Sequence, residues 1–191
     1  MDYRAKRTLR SGALLALLVL AALLGACAGE PEGPGDVVFP LPQRYTGSYT
    51  NDWGEPRPQG SHEGTDVFAP EGTPVYAITG GTVVAEGWNT LGGYTITIAA
   101  AYDTGPLREG DRLYYAHLRT SSPLEIGEEV RAGQKIGEVG RTAGEEVGSV
   151  ADFPPHLHLG WYEGFRLFGE SRAQAESGAM NPYPLLRRSA G

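Results

Sequence analysis

The chain has 191 residues, enough for one domain and too few for two ordinary ones. Apolar residues make up 40% and charged residues 20%, which permits a packed core and excludes wholesale disorder. A formal net charge of -7 argues against nucleic acid as a partner, and one cysteine excludes an intrachain disulfide or a multi-cysteine metal site.

The N-terminal segment reads as an address. Arg4, Lys6, Arg7 and Arg10 precede an unbroken apolar run from Ala13 to Leu24. That run falls short of the ~20 residues a spanning helix needs, but it suits the core of a secretory signal. It ends Leu24-Gly25-Ala26-Cys27, which resembles the lipobox of bacterial lipoproteins, where the cysteine receives a lipid and becomes the mature first residue. The expectation is a signal over residues 1–27 with Cys27 as the lipidation site. Lipid on Cys27 would hold the protein outside the cytoplasm, on the outer face of the cell membrane or the periplasmic face of the envelope. The plainer alternative is an ordinary signal or anchor helix with an incidental cysteine.

Removing that segment takes away four bases and one acid, leaving 12 bases against 22 acids and a balance of -10. A body so acidic is not drawn to anionic wall polymer or lipid by its overall charge, so a tether must supply the local concentration. Residues 28–44, rich in glycine, proline and acid between Ala28 and Asp36, read as a flexible linker, with ordered chain starting near Tyr45.

Short strands follow. Val75 to Ile78 and Thr82 to Ala85 flank Gly80-Gly81, a composition that predicts a tight hairpin. Thr95-Ile96-Thr97-Ile98 and Leu113 to Leu118 alternate with period two, and Val130 to Gly137 continues the pattern. Arg141 to Pro155 has no periodicity and reads as a long surface loop. Ser171 to Ser177 is the one stretch suited to a short helix. With 28 glycines and 14 prolines, the expected class is all-β and mainly antiparallel, a sandwich or open barrel with long loops around a groove.

Histidine occurs four times, at His62, His117, His156 and His158. His62 and Asp66 stand in His-Glu-Gly-Thr-Asp, after the turn-rich Trp53-Gly54-Glu55-Pro56-Arg57-Pro58. His156 and His158 stand in Pro-Pro-His-Leu-His-Leu, where the prolines favour an extended approach. Residues i and i+2 of a strand share a face, so the two imidazoles point side by side while Leu157, Leu159 and Trp161 face a core. The same rule puts Tyr115 and His117 on one face, with Tyr114, Ala116 and Leu118 opposite. Taken singly, a histidine is more often a surface or core residue than a ligand; the joint pattern is what points to a site. Zinc suits it, since it accepts imidazole nitrogen and carboxylate oxygen, and catalytic sites use three protein ligands. Four histidines and Asp66 exceed that need by two groups, a surplus that hydrolysis uses to move protons and steady an oxyanion.

These segments resemble the lysostaphin-type zinc metallopeptidases, the LytM family, which cut peptide bonds in bacterial peptidoglycan. The likeness runs from Trp53 to Tyr162. It takes in His-Glu-Gly-Thr-Asp-Val-Phe-Ala-Pro-Glu-Gly-Thr-Pro-Val-Tyr-Ala, Gly80-Gly81-Thr82-Val83, Tyr115-Ala116-His117-Leu118, the Gly133-Gln134 strand and His156-Leu157-His158. The resemblance implies the duplicated-hybrid-motif fold, a metallopeptidase domain over 45–165 and one Zn2+ per chain. It also implies that His62, Asp66 and His158 are the ligands and His117 and His156 the catalytic pair, with the choice of general base open. Peptidoglycan peptides would be the substrate and a monomer the working form, with 166–191 as a C-terminal segment packing on the domain. The family commonly has Phe-Glu where Leu159 and Gly160 stand, and the loop before His156 is longer than usual, which bears on substrate choice.

Two other readings compete. A catalytically silent relative would bind wall or activate another hydrolase, but such proteins usually lack one or more of these five residues. A biotinyl or lipoyl carrier would offer a lysine at a hairpin tip, whereas Lys135, the only lysine after the signal, is expected mid-strand.

Overall fold

The computed structural model describes residues 37–58, 60–164 and 178–191. The signal over 1–27 with Cys27, and the short helix expected over Ser171 to Ser177, lie outside the described residues.

Eleven strands and one short α-helix are described, in an all-β, antiparallel arrangement. In chain order the strands are β1 (Pro56–Arg57), β2 (Gly60–Ser61), β3 (Thr65–Phe68), β4 (Pro74–Tyr76), β5 (Gly81–Asn89) and β6 (Gly93–Ala100). There follow β7 (Arg112–Leu118), β8 (Glu129–Val130), β9 (Lys135–Glu138), β10 (His156–Tyr162) and β11 (Ala179–Met180), then helix α1 (Tyr183–Ser189). One sheet runs β11-β10-β7-β6-β5-β8, and β3 also pairs with β10. β4 with β9 and β1 with β2 make two separate ribbons.

Strand β10 is central to everything that follows. It is bordered by β7 on one side and by β3, then β11, on the other. Its alternation is clean: Leu157, Leu159 and Trp161 are buried with Val67, Leu113 and Ile136 in one hydrophobic cluster. Burying side chains of this size is worth ~1.5–3 kcal/mol each, which fixes the register of the strand and hence the opposite face.

Several expectations are corrected. The Gly80-Gly81 hairpin does not form, because β4 pairs with β9 while β5 pairs with β6 and β8. Glycine at 81 serves close packing instead of a turn: a Cβ there would lie 2.1 Å from the carbonyl oxygen of Ala99 on β6. Gly133 and Gln134 form the turn between β8 and β9, not a strand, with Gly133 at a φ of 77°. Ordered chain also begins before Tyr45, which shortens the expected linker. Val37, Phe39 and Leu41 are buried in the core, and the amide of Val38 donates to Ile78 O at 2.8 Å. Their apolar side chains stand at alternate positions, the period-two signal of an extended segment packing on one face.

Helix α1 was not expected either. It is seven residues long, starts with Pro184 in its first turn, and ends in Arg187 and Arg188, cations suited to a helix C-terminus. Its Leu185 and Leu186 are wholly buried in the shared core.

Candidate metal centre

His62, Asp66, His117, His156 and His158 come together at the floor of one groove of about 560 Å³. Three elements supply them. β10 carries His156 and His158 on one face, and its antiparallel partner β3 places Asp66 directly opposite His158. His62 enters just ahead of β3, pinned by its amide to Glu55 O at 2.9 Å and by its carbonyl to the amide of Gly54 at 2.9 Å.

His117 reaches the groove by a route that alternation alone does not give. Between the pairs Tyr94↔Leu118 and Ile96↔Tyr115, β6 has one intervening residue and β7 has two, Ala116 and His117. That extra residue is a β-bulge, and His117 takes it up with a φ of 58°, the only positive φ at a non-glycine among the described residues. The strand therefore switches faces. Leu113, Tyr115 and Leu118 are core, while Tyr114, Ala116 and His117 line the groove. The expected grouping of Tyr115 with His117 is thus reversed: Tyr115 is fully buried, its hydroxyl accepting the amide of Ile78 at 3.0 Å.

Three ligand atoms converge. His158 Nδ1 lies 3.0 Å from Asp66 Oδ1 and 3.0 Å from His62 Nε2, and His62 Nε2 lies 3.2 Å from Asp66 Oδ1. Ligands about 2.0–2.1 Å from a tetrahedral zinc stand ~3.3 Å from one another, so the triangle fits that ion with little adjustment. The donor set, two imidazole nitrogens and one carboxylate oxygen, is chemically suited to it as well. Among the described residues this trio is the only group of that kind.

The space for the His158 ring is made by a missing side chain. A Cβ at Gly64 would lie 2.3 Å from His158 Cε1 and 2.8 Å from Leu159 O. The glycine between His62 and Asp66 is therefore required by close approach, a signal present in His-Glu-Gly-Thr-Asp but not extracted from the sequence.

Electrostatics sets His62 apart from His117 and His156. Burial works against charge on His62, but Asp52 and Asp66 outweigh it and push its pKa up to about 10 in the metal-free protein. Burial would likewise raise Asp66, yet hydrogen bonds from His158 and His62 hold its carboxyl well below the usual carboxylate range. The site thus draws positive charge to the point where the ligand atoms meet. His117 behaves oppositely: burial, then the neighbouring His156, depress it to about 4. His156 is also lowered, chiefly by burial. Both rings are neutral at pH 7.

His117 and His156 face each other with ring centres 4.8 Å apart, and Phe153 packs against both at 4.8 and 5.0 Å. The Nδ1–H of His117 donates to Thr142 O at 2.9 Å, and that of His156 to Pro154 O at 2.8 Å. Each ring consequently keeps Nε2 unprotonated and available. Thr142, Phe153 and Pro154 belong to the stretch expected to be an irregular loop. It is tied down by a Thr142↔Val150 bridge and by Trp88 Nε1 donating to Gly144 O at 3.2 Å.

The groove of this antiparallel β protein thus gathers a His-Asp-His group that could hold a metal ion, with two further imidazoles beside it. Residues 60–172 match Peptidase family M23, and the chain belongs to that family. It is 38% identical over 157 residues to the L-Ala–D-Glu endopeptidase of Bacillus subtilis (strain 168), covering 80% of this chain and 44% of that protein. It is similar to the structure of a LytM protein from Ruminococcus gnavus ATCC 29149, with TM-score 0.62 and 38% identity over 81% of this chain and 61% of that one. The catalytic domain of lysostaphin from Staphylococcus simulans superposes with TM-score 0.54 and 30% identity, covering 77% of this chain and 98% of that domain. The chain spans less than half the length of the curated Bacillus relative.

Proposed function

We propose that this chain is a zinc-dependent endopeptidase that hydrolyses peptide bonds in peptidoglycan cross-links or stem peptides. The observation that carries this reading is the triangle of His62 Nε2, Asp66 Oδ1 and His158 Nδ1, with sides of 3.0–3.2 Å, beside the imidazoles of His117 and His156, the latter with Nε2 3.6 Å from Asp66 Oδ1. The relatives named as endopeptidases and the family membership support it.

His62, Asp66 and His158 would hold one Zn2+. When bound, zinc supplies a Lewis acid that polarises the scissile carbonyl and makes water a usable nucleophile near neutral pH. The remaining work falls to the protein. His117 and His156 stay neutral because they are buried, and their Nδ1 protons are fixed on the carbonyls of Thr142 and Pro154. Their Nε2 atoms therefore accept a proton from the attacking water and return it to the leaving amine nitrogen, and a ring so protonated steadies the oxyanion. Phe153 and Phe68 pack on these rings and shield them from bulk water. No covalent acyl intermediate is needed.

We infer further that residues 1–27 are a lipoprotein signal and that lipid on Cys27 tethers a monomeric catalytic domain to the extracytoplasmic face of a membrane. The acidity of the body supports a tether, because charge alone would not bring it to an anionic wall. The test of the enzymatic reading is digestion of purified peptidoglycan by zinc-loaded protein, with released muropeptides identified by mass spectrometry. New amino termini that vanish on chelation are expected. Zinc-loaded protein that releases none would return the chain to the silent, activator-like reading.

A further inference from the structure

Asp52 is a buried carboxylate that the catalytic reading leaves without a task. It is 7% exposed, lies outside the ligand triangle, and stands behind the site rather than in the groove wall. Its Oδ2 accepts the amide of Asp66 at 3.3 Å, lies 3.3 Å from His62 Nδ1 and 3.5 Å from the guanidinium of Arg57. Its backbone carbonyl lies 3.1 Å from His62 Nδ1. The other oxygen, Oδ1, has no hydrogen-bond partner among the described residues. Keeping a carboxylate charged in such a place opposes its desolvation, so its retention calls for a role.

The contacts define one. Around His62 Nδ1 stand two oxygen acceptors, both from Asp52, against one possible donor, Arg57 NH2 at 3.3 Å. Two acceptors favour a proton on Nδ1, which leaves Nε2, the atom facing Asp66 and His158, as the one to bind a metal. Arg57 acts on the second ligand. Its NH2 donates to Asp66 Oδ2 at 3.1 Å, while Oδ1 of the same carboxylate is the atom that meets the two imidazoles. One carboxylate oxygen is thereby held back and the other presented.

We propose that Asp52 and Arg57 are positioning residues for the metal: Asp52 fixes the Nδ1–H tautomer of His62, and Arg57 restricts Asp66 to coordination through Oδ1. This rests on the zinc reading above, and adds to it two residues outside the ligand triangle, Asp52 behind the groove and Arg57 in its lining. Partners of this kind behind a ligand typically account for 10–100-fold in metal affinity.

The test measures zinc affinity by chelator competition on the full chain, together with the visible spectrum of the cobalt-substituted protein and the melting temperature of the metal-free form. Wild type is measured first; if it binds no zinc, the metal reading itself fails. Given wild-type binding, Asp52→Asn, which keeps the shape and removes the charge, should weaken zinc by 10–100-fold, while the metal-free melting transition shows that the variant folds. Arg57→Met is the sharper variant because two effects oppose each other. Removing a cation beside a dication would tighten binding if Arg57 acted by charge alone. Positioning predicts weaker binding and an altered cobalt spectrum, since both oxygens of Asp66 become free to turn. Tighter zinc in Arg57→Met, or zinc within twofold of wild type in a folded Asp52→Asn, would overturn the assignment. Arg57 is one-third exposed, so its variant folds even where Asp52→Asn does not.

Discussion

Thr142 holds His117 by its carbonyl and is itself fastened by its hydroxyl to Leu118 on β7 and Tyr94 on β6. Its carbonyl accepts the Nδ1–H of His117 at 2.9 Å, while its hydroxyl donates to Leu118 O at 2.7 Å and accepts the amide of Tyr94 at 3.0 Å. A residue 25 positions away in the chain thus sets both the tautomer and the orientation of the imidazole proposed to be catalytic. Thr142→Val keeps the carbonyl and removes the hydroxyl, leaving the Tyr94 amide and the Leu118 carbonyl short of a partner. We expect a loss of about 1–3 kcal/mol in denaturant unfolding. A fall in kcat with zinc content unchanged is also expected, because the carbonyl loses the anchorage that aims it at His117.

The two kinds of histidine should separate cleanly on mutation. His62→Ala removes a ligand atom, so zinc content and turnover should both disappear. His117→Ala should retain zinc and lose about 10²–10⁴-fold in kcat, the usual contribution of a general acid–base group. Metal analysis alongside muropeptide release distinguishes them, and an undiminished rate in His117→Ala would remove that residue from the mechanism.

Gly64→Ala probes the space made for His158. The added carbon would overlap the imidazole at 2.3 Å and press on a backbone oxygen at 2.8 Å, so the ring must leave its place. Overpacking of this kind costs about 1–3 kcal/mol. The expected result is a folded protein, by circular dichroism, that has lost zinc by elemental analysis.

Metal binding and metal-free stability should depend on pH in opposite ways across neutrality. Zinc must displace the proton that His62 keeps up to about pH 10, so apparent affinity should rise about tenfold per unit between pH 6.5 and 8.5. In the metal-free protein the raised pKa of His62 contributes stability in full below about 6.5 and loses it as pH rises through 10. His117, depressed to about 4, works the other way: below about 6.5 the unfolded chain takes up a proton that the folded one refuses. Melting temperatures of the metal-free form should therefore peak near pH 6.5 and fall on either side. A monotonic profile would contradict these assignments.

Cys27→Ser tests the tether. Without a thiol no lipid can be attached, and the protein should move from the membrane fraction to the soluble extracytoplasmic fraction. Membrane association that survives the substitution would argue for an uncleaved apolar helix instead.

The shared face of His156 and His158 on β10 was legible because strand geometry is local. Period two fixes which residues of His156-Leu157-His158-Leu159 share a face, whatever the rest of the chain does. His62 and Asp66 were legible as residue types with a ligand's chemistry, close enough in sequence to serve one ion. What sequence reasoning missed has one cause. His117 reaches the groove through a bulge whose extra residue is defined only by its pairing with β6, so counting along β7 put Tyr115 on the wrong side. Gly80-Gly81 has the composition of a hairpin, but β4 finds its partner in β9, about 60 residues on, and Val75 and Ile136 from the two strands are both buried in the core.

The order of residues alone determined an all-β chain with histidines and a carboxylate of metal-binding type and a surplus of imidazoles, and it raised the expectation of an N-terminal address. These follow from side-chain type and from short-range periodicity, which survive in any register. Only the folded molecule decided that Asp52 and Arg57 contact His62 and Asp66, that Thr142 holds His117, and that Val37 to Leu41 and α1 complete the core. Each of those contacts joins segments that do not adjoin in the chain, and the burial that stabilises them exists only once β3, β7 and β10 have paired.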